Sequence, residues 1–182
     1  TFPNGDPDQF PCEYDEWCPG EPNPPVATLV GPNLFWMESF EGKLGVIGND
    51  GNAAEDILFQ LPNCPDAEPV KLLQIQMLYF PPTTTGGCPE VDLAAWKDAT
   101  AIPDSDILLT GTEVFDAGEG WQLGLRSFEI RPNPDYEELT LALPAAYALD
   151  QVVIDTISVP EPATLALLAV GGALGVVRRR NR

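Results

Sequence analysis

The chain predicts a mainly β protein, an antiparallel β-sandwich of jelly-roll-like form followed by one C-terminal transmembrane helix. Three observations carry this. Its 182 residues include 20 prolines and 16 glycines, too many for a helical bundle and suited to short strands joined by turns. Apolar and polar residues alternate with period two in segments spaced about eight to twelve residues apart, the pattern of a sandwich. The apolar run 165–177 ends in Arg178, Arg179, Arg180 and Arg182, as a membrane anchor ends in a cationic stop. The expected divisions are an N-terminal arm over 1–25, a sandwich over 26–159 and the anchor region 160–182.

The arm is dense in proline and aspartate with little periodicity. Cys12 and Cys18 would clip a small loop presenting Tyr14 and Trp17, and with Phe2 and Phe10 these aromatics suit contact with a neighbour or packing on the parent domain. Strands follow over 26–30 and 34–40, broken at Gly31-Pro32, and 43–47 pairs back across Glu41-Gly42. After a turn at 49–52 comes a strand over 56–61. The clearest alternation is 70–80, where Leu73, Ile75, Met77 and Tyr79 share one face, which predicts a central strand with one buried side. Pro81 and Pro82 end it. Residues 81–105 read as a long connection with one helical turn over 91–97. Short strands at 106–109 and 113–115 flank Thr110-Gly111. Strands at 121–130, at 137–143 with Leu139, Leu141 and Leu143 in phase, and at 152–158 complete the domain.

Charge divides along the chain. Four of the nine basic residues are the terminal arginines, which leaves five against 28 carboxylates. Nucleic acid is excluded as a partner, because phosphate binding needs a basic surface. An acidic exterior favours solubility and invites calcium or basic partners.

Cys12, Cys18, Cys64 and Cys88 are even in number, and in an exported protein they predict two disulfides. Pairing of neighbours, Cys12 with Cys18 and Cys64 with Cys88, is the favoured one of three connectivities. Zinc is disfavoured, since there is no histidine and no CxxC spacing. The same lack of histidine removes Ser-His and Cys-His nucleophile systems, and nothing selects a carboxylate pair among 28. No enzyme activity is expected. The candidate ion site is the loop 49–56, where Asp50, Asn52, Glu55 and Asp56 place oxygens around Gly51. It could take calcium, although the twelve-residue loop pattern is not met, and an acidic hairpin turn is the alternative. No other cofactor is expected. Of the tryptophans Trp17, Trp36, Trp96 and Trp121, Trp36 and Trp121 fall in strand patterns and predict core. Trp96 falls in the long connection and is the candidate platform for a carbohydrate.

The anchor barely spans. Residues 164–177 alone make a helix of about 21 Å against a hydrocarbon core of roughly 30 Å; starting at Pro162 and letting the arginines snorkel closes the gap. The positive-inside bias places the arginines in the cytoplasm and the sandwich across the membrane. Gly171 and Gly175 form GxxxG, a face small enough to pack against another helix.

Pro160-Glu161-Pro162, the following Ala-Thr step, the short Leu/Ala/Gly-rich helix and the arginine cluster together resemble the PEP-CTERM sorting signal of bacterial exported proteins. The resemblance implies an N-terminal secretion signal, already removed here, an exosortase-type processing enzyme as a partner, and a bacterial membrane location with the sandwich periplasmic or extracellular. Residues 131–138 and 150–162 also resemble the last strands of other sandwich proteins with this signal. Three functions fit: a non-catalytic, membrane-anchored structural protein; a single-span accessory subunit of a larger membrane complex, photosynthetic or respiratory, docking other membrane-protein subunits through its helix; and a carbohydrate-binding surface module.

Overall fold

In a computed structural model, the described residues are 25–63, 68–83 and 86–159. The N-terminal arm with Cys12, Trp17 and Cys18 lies outside them, as do Cys64, Pro160, Glu161, Pro162, Gly171, Gly175, Arg178, Arg179, Arg180 and Arg182. The predicted transmembrane helix therefore also lies outside. Among the described residues no helix is long and apolar enough to cross a membrane.

Eleven strands are described: β1 (Val26–Leu29), β2 (Leu34–Phe40), β3 (Lys43–Asn49), β4 (Glu55–Pro62), β5 (Val70–Phe80), β6 (Glu90–Lys97), β7 (Thr100–Ala101), β8 (Ile107–Gly118), β9 (Trp121–Ile130), β10 (Tyr136–Leu143) and β11 (Ala148–Val159). They form two antiparallel sheets, β1-β4-β10-β6-β7 and β2-β3-β11-β5-β9-β8. From β3 to β6, and again from β9 to β11, consecutive strands alternate between the two sheets. Each sheet contributes its in-phase apolar residues to one core, with Ile57, Phe59, Leu139 and Leu141 from the first facing Leu73, Ile75, Met77 and Tyr79 from the second. Burying such side chains is the main term holding the sheets together, at about 1.5–3 kcal/mol each.

The predicted central strand is central: β5 lies between β11 and β9, and pairs with the first over its whole length with one register shift between Leu149 and Gln151. Glu41 and Gly42, both at positive φ, make the two-residue turn expected between β2 and β3, where the backbone twist demands that conformation. Two expectations need correction. The stretch read as a helical turn over 91–97 is strand β6, with Val91, Leu93 and Ala95 turned inward and Asp92, Ala94 and Trp96 outward. Alanines favour helix in isolation, and pairing with β10 overrides them. The two short strands expected around Thr110-Gly111 are one continuous strand, β8, and the irregularity there is a bulge opposite Phe128 and Ser127, which keeps a ladder while kinking it.

The sandwich has two ends. At the tail end, Val159 pairs with Val70 and Ile130 with Lys71, and the chain leaves toward residue 160. At the far end, the β2-β3 hairpin curls over the outer face of the second sheet and encloses a small separate core of Val46, Trp121 and Ala148, flanked by Met37, Phe40, Leu78 and Phe80. Phe80 meets Phe40 and Trp121 edge-on at 5.3 and 5.5 Å. Gly120, at φ +86°, leaves no space for a Cβ, which would fall 2.6 Å from the Phe80 ring.

Candidate functional site

The outer face of the first sheet carries the best-formed surface feature. Trp96 on β6 and Tyr136 on β10 are register partners, so their rings meet across the strands at 5.4 Å, tilted by 48°. Antiparallel pairing puts opposite residues within about 5.5 Å, which is how an aromatic pair far apart in sequence becomes one platform. Two residues along the same face, Glu138 accepts hydrogen bonds from the Tyr136 hydroxyl at 2.8 Å and from Gln60 Nε2 at 3.3 Å. The phenol is pushed up to about 12 by burial, reinforced by the Glu138 carboxylate that it donates to. At the rim, Lys97 pairs with Asp135 at 2.6 Å. Hydrogen bonds from Lys97 and from the Asp98 amide hold the Asp135 carboxyl below its ordinary value. Two tilted aromatic rings beside a carboxylate and an amide set apolar faces next to hydrogen-bonding groups. Sequence reasoning selected Trp96 but placed it on a loop, and it missed Tyr136 and Glu138.

The loop singled out for calcium is organised differently. Asn49, buried at its start, donates from Nδ2 to Ala53 O at 2.9 Å and to Leu143 O at 2.8 Å, and its Oδ1 accepts from the Gly51 amide. Glu55 accepts from Asn33 in the turn between β1 and β2. Asp50, Asn52 and Asp56 lie along this loop and the start of β4, and among the described residues no three His, Cys, Asp or Glu side chains gather where they could hold a metal ion.

Between the sheets, behind the start of β6, Cys88 is a free thiol; Cys64, Cys12 and Cys18 lie outside the described residues. Its sulfur packs over Gly124, where a Cβ would approach it to 2.5 Å. Burial pushes the thiol up and the neighbouring Arg126 guanidinium draws it back. Burial likewise raises Tyr79, whose hydroxyl donates to Gln122 at 2.8 Å and whose ring stacks on Tyr147 at 5.9 Å. Arg126 donates to Pro89 O at 2.9 Å, and Tyr147 donates to Gly87 O at 3.1 Å. These bonds fasten residues 86–89 to the second sheet. Of the remaining tryptophans, Trp121 is buried with its Nε1 donating to Glu41 O at 3.0 Å, and Trp36 packs against the main core, as their strand patterns predict.

At the tail end a charged pair spans the core. Lys71 on β5 and Glu137 on β10 approach to 2.9 Å and are 4 % and 0 % exposed. Burial raises the Glu137 carboxyl, with the Lys71 charge and the hydrogen bond from Asn63 opposing. Neither residue was singled out from sequence, yet both were marked there. Lys71 is in phase with Leu73, Ile75, Met77 and Tyr79, and Glu137 with Leu139, Leu141 and Leu143, so each charge stands in a row that must face inward.

Residues 158–181 match the PEP-CTERM protein-sorting motif. The motif implies an exported, membrane-associated protein that is processed by an exosortase-type enzyme. No curated protein and no solved structure matches the chain.

Proposed function

We propose that this is a non-catalytic, exported structural protein, anchored in a bacterial membrane, whose jelly-roll-like sandwich stands on the periplasmic or extracellular side. The supporting observation is continuity. The sorting motif begins at residue 158, inside β11, and Val159 is still paired with Val70. With no linker between the last strand and the motif, the sandwich sits at the membrane until the signal is processed and stays compact through that step. The test is to express the chain with its secretion signal in a host with an exosortase and in the same host lacking it. A form shortened near residues 160–162 and delivered to the surface in the first, against a full-length membrane form in the second, is expected. An unprocessed chain with the same location in both hosts contradicts the proposal, and its co-purification with other membrane subunits would establish the accessory-subunit role through Gly171 and Gly175.

The Trp96–Tyr136 platform favours a second reading, a carbohydrate-binding surface module. Retention on an insoluble polysaccharide that falls at least about tenfold in Trp96→Ala supports it, since aromatic contacts of this kind contribute on the order of 1 kcal/mol or more. Equal retention of both proteins removes it.

A further inference from the structure

Three side chains close a ring at the tail end. Lys71 Nζ donates to Asn63 Oδ1, Asn63 Nδ2 donates to Glu137 Oε2 at 2.7 Å, and Glu137 Oε1 lies 2.9 Å from Lys71 Nζ. That last contact is close but poorly angled, so Oε1 receives no directed hydrogen bond and is an open acceptor for a proton. Asn63 is fixed from both sides: its amide N–H donates to Asp135 O at 3.0 Å and its Nδ2 also donates to Pro134 O at 3.0 Å. An amine is thus held against the oxygen of a side-chain amide, one bond from its acyl carbon, with a carboxyl group touching both the nucleophile and the leaving nitrogen. Water, which would compete for that carbon, is kept out by the burial of Lys71 and Glu137.

Low polarity gives this ring a reason to react. A buried ion pair is costly, and proton transfer from ammonium to carboxylate converts it to a neutral amine and a neutral acid. A lysine amine freed of its proton is a nucleophile, and proximity of this kind replaces a bimolecular encounter.

We propose that Lys71 and Asn63 join in an intramolecular isopeptide bond, formed by the folded chain itself with Glu137 as catalytic acid and base, which staples the two sheets together at the tail end. Glu137 first takes a proton from Lys71. The Nζ lone pair attacks Asn63 Cγ while the Glu137 acid donates its proton toward Oδ1. The carboxylate so formed accepts a proton from Nζ and passes it to Nδ2, the Cγ–Nδ2 bond breaks, and the carbonyl re-forms as the Oδ1 proton returns to Glu137. One amide bond forms, one breaks, one ammonia leaves, and Glu137 ends as the neutral acid. No oxidant, metal or second substrate enters. The bond runs from the end of β4 in the first sheet to β5 in the second, beside the strand from which the membrane segment departs, where a pull on the tether would otherwise pry the sheets apart.

The experiment is mass spectrometry of the purified full chain, folded, then reduced, denatured and digested with trypsin. The expected product is residues 44–97 as one peptide, uncut at Lys71 and lighter than its sequence by one ammonia. Glu137→Gln, checked for cooperative unfolding, should cleave at Lys71 and give both peptides at their sequence masses. Cleavage at Lys71 in the wild-type chain overturns the proposal. So does loss of ammonia with Lys71 still cleaved, which marks ring closure at Asn63 alone. A full yield of the linked peptide in Glu137→Gln overturns the role of Glu137. The wild-type digest decides the bond by itself if the variant fails to fold.

Discussion

The two ends of the sandwich are closed by opposite means. At the far end, Phe40, Phe80 and Trp121 pack edge to face, and the buried polar groups there, Asn49 above all, are neutral with directed partners. At the tail end a full ion pair is buried between the sheets. The charges at the far end, Lys43 with Asp150 at 3.7 Å and over the Trp121 ring, are partly exposed, so closure there depends little on pH or on any single charge. Closure at the tail end depends on both, because removing one partner strands the other. The end from which the chain runs into the sorting motif is the one built from reactive groups.

Lys71→Met sharpens this contrast most, since it leaves Glu137 buried without its partner and removes the amine that the proposed bond to Asn63 requires. It should lower unfolding free energy by about 3–5 kcal/mol, measured by urea titration. At the far end Asn49→Ala leaves Leu143 O and the Gly51 amide without their partners, and a loss of about 1–3 kcal/mol is expected. Trp121→Phe keeps an aromatic ring but loses the bond to Glu41 O; thermal unfolding should report about 1–2 kcal/mol, unchanged with pH. Smallest is Lys97→Ala, which breaks the exposed pair with Asp135 for about 0.2–1 kcal/mol, less in high salt. A larger effect at Lys97 than at Lys71 would break the comparison.

Much of the core was legible from alternation. Leu73, Ile75, Met77 and Tyr79 are all fully buried, and the turn at Glu41-Gly42 followed from its residue types. What failed did so for physical reasons. In β6 the small alanines at 94 and 95 weaken the apolar contrast on which period-two reading depends, so the strand exists through its pairing with β10, a long-range fact. The candidate platform suffered with it, because Trp96 and Tyr136 become neighbours only once that register is known. Lys71 and Glu137 were readable in principle: a charge in phase with a buried row predicts a buried partner. Their identity as a pair is not, since it depends on how β5 and β10 face each other across the core. Asn63 had no such signal.

The pH dependence of stability tests the difference between the ends most directly. Burial holds the Glu137 carboxyl above the usual glutamate value of 4.5, so the folded chain keeps its proton more tightly than the unfolded chain. That contribution is complete below 4.5 and is lost as pH rises through the higher folded value. Unfolding free energy measured for the wild-type chain and Glu137→Gln from pH 4.5 upward should fall for the first and stay flatter for the second, with Trp121→Phe following the wild-type slope. Parallel curves for wild type and Glu137→Gln would contradict a tail end governed by a buried, titratable pair.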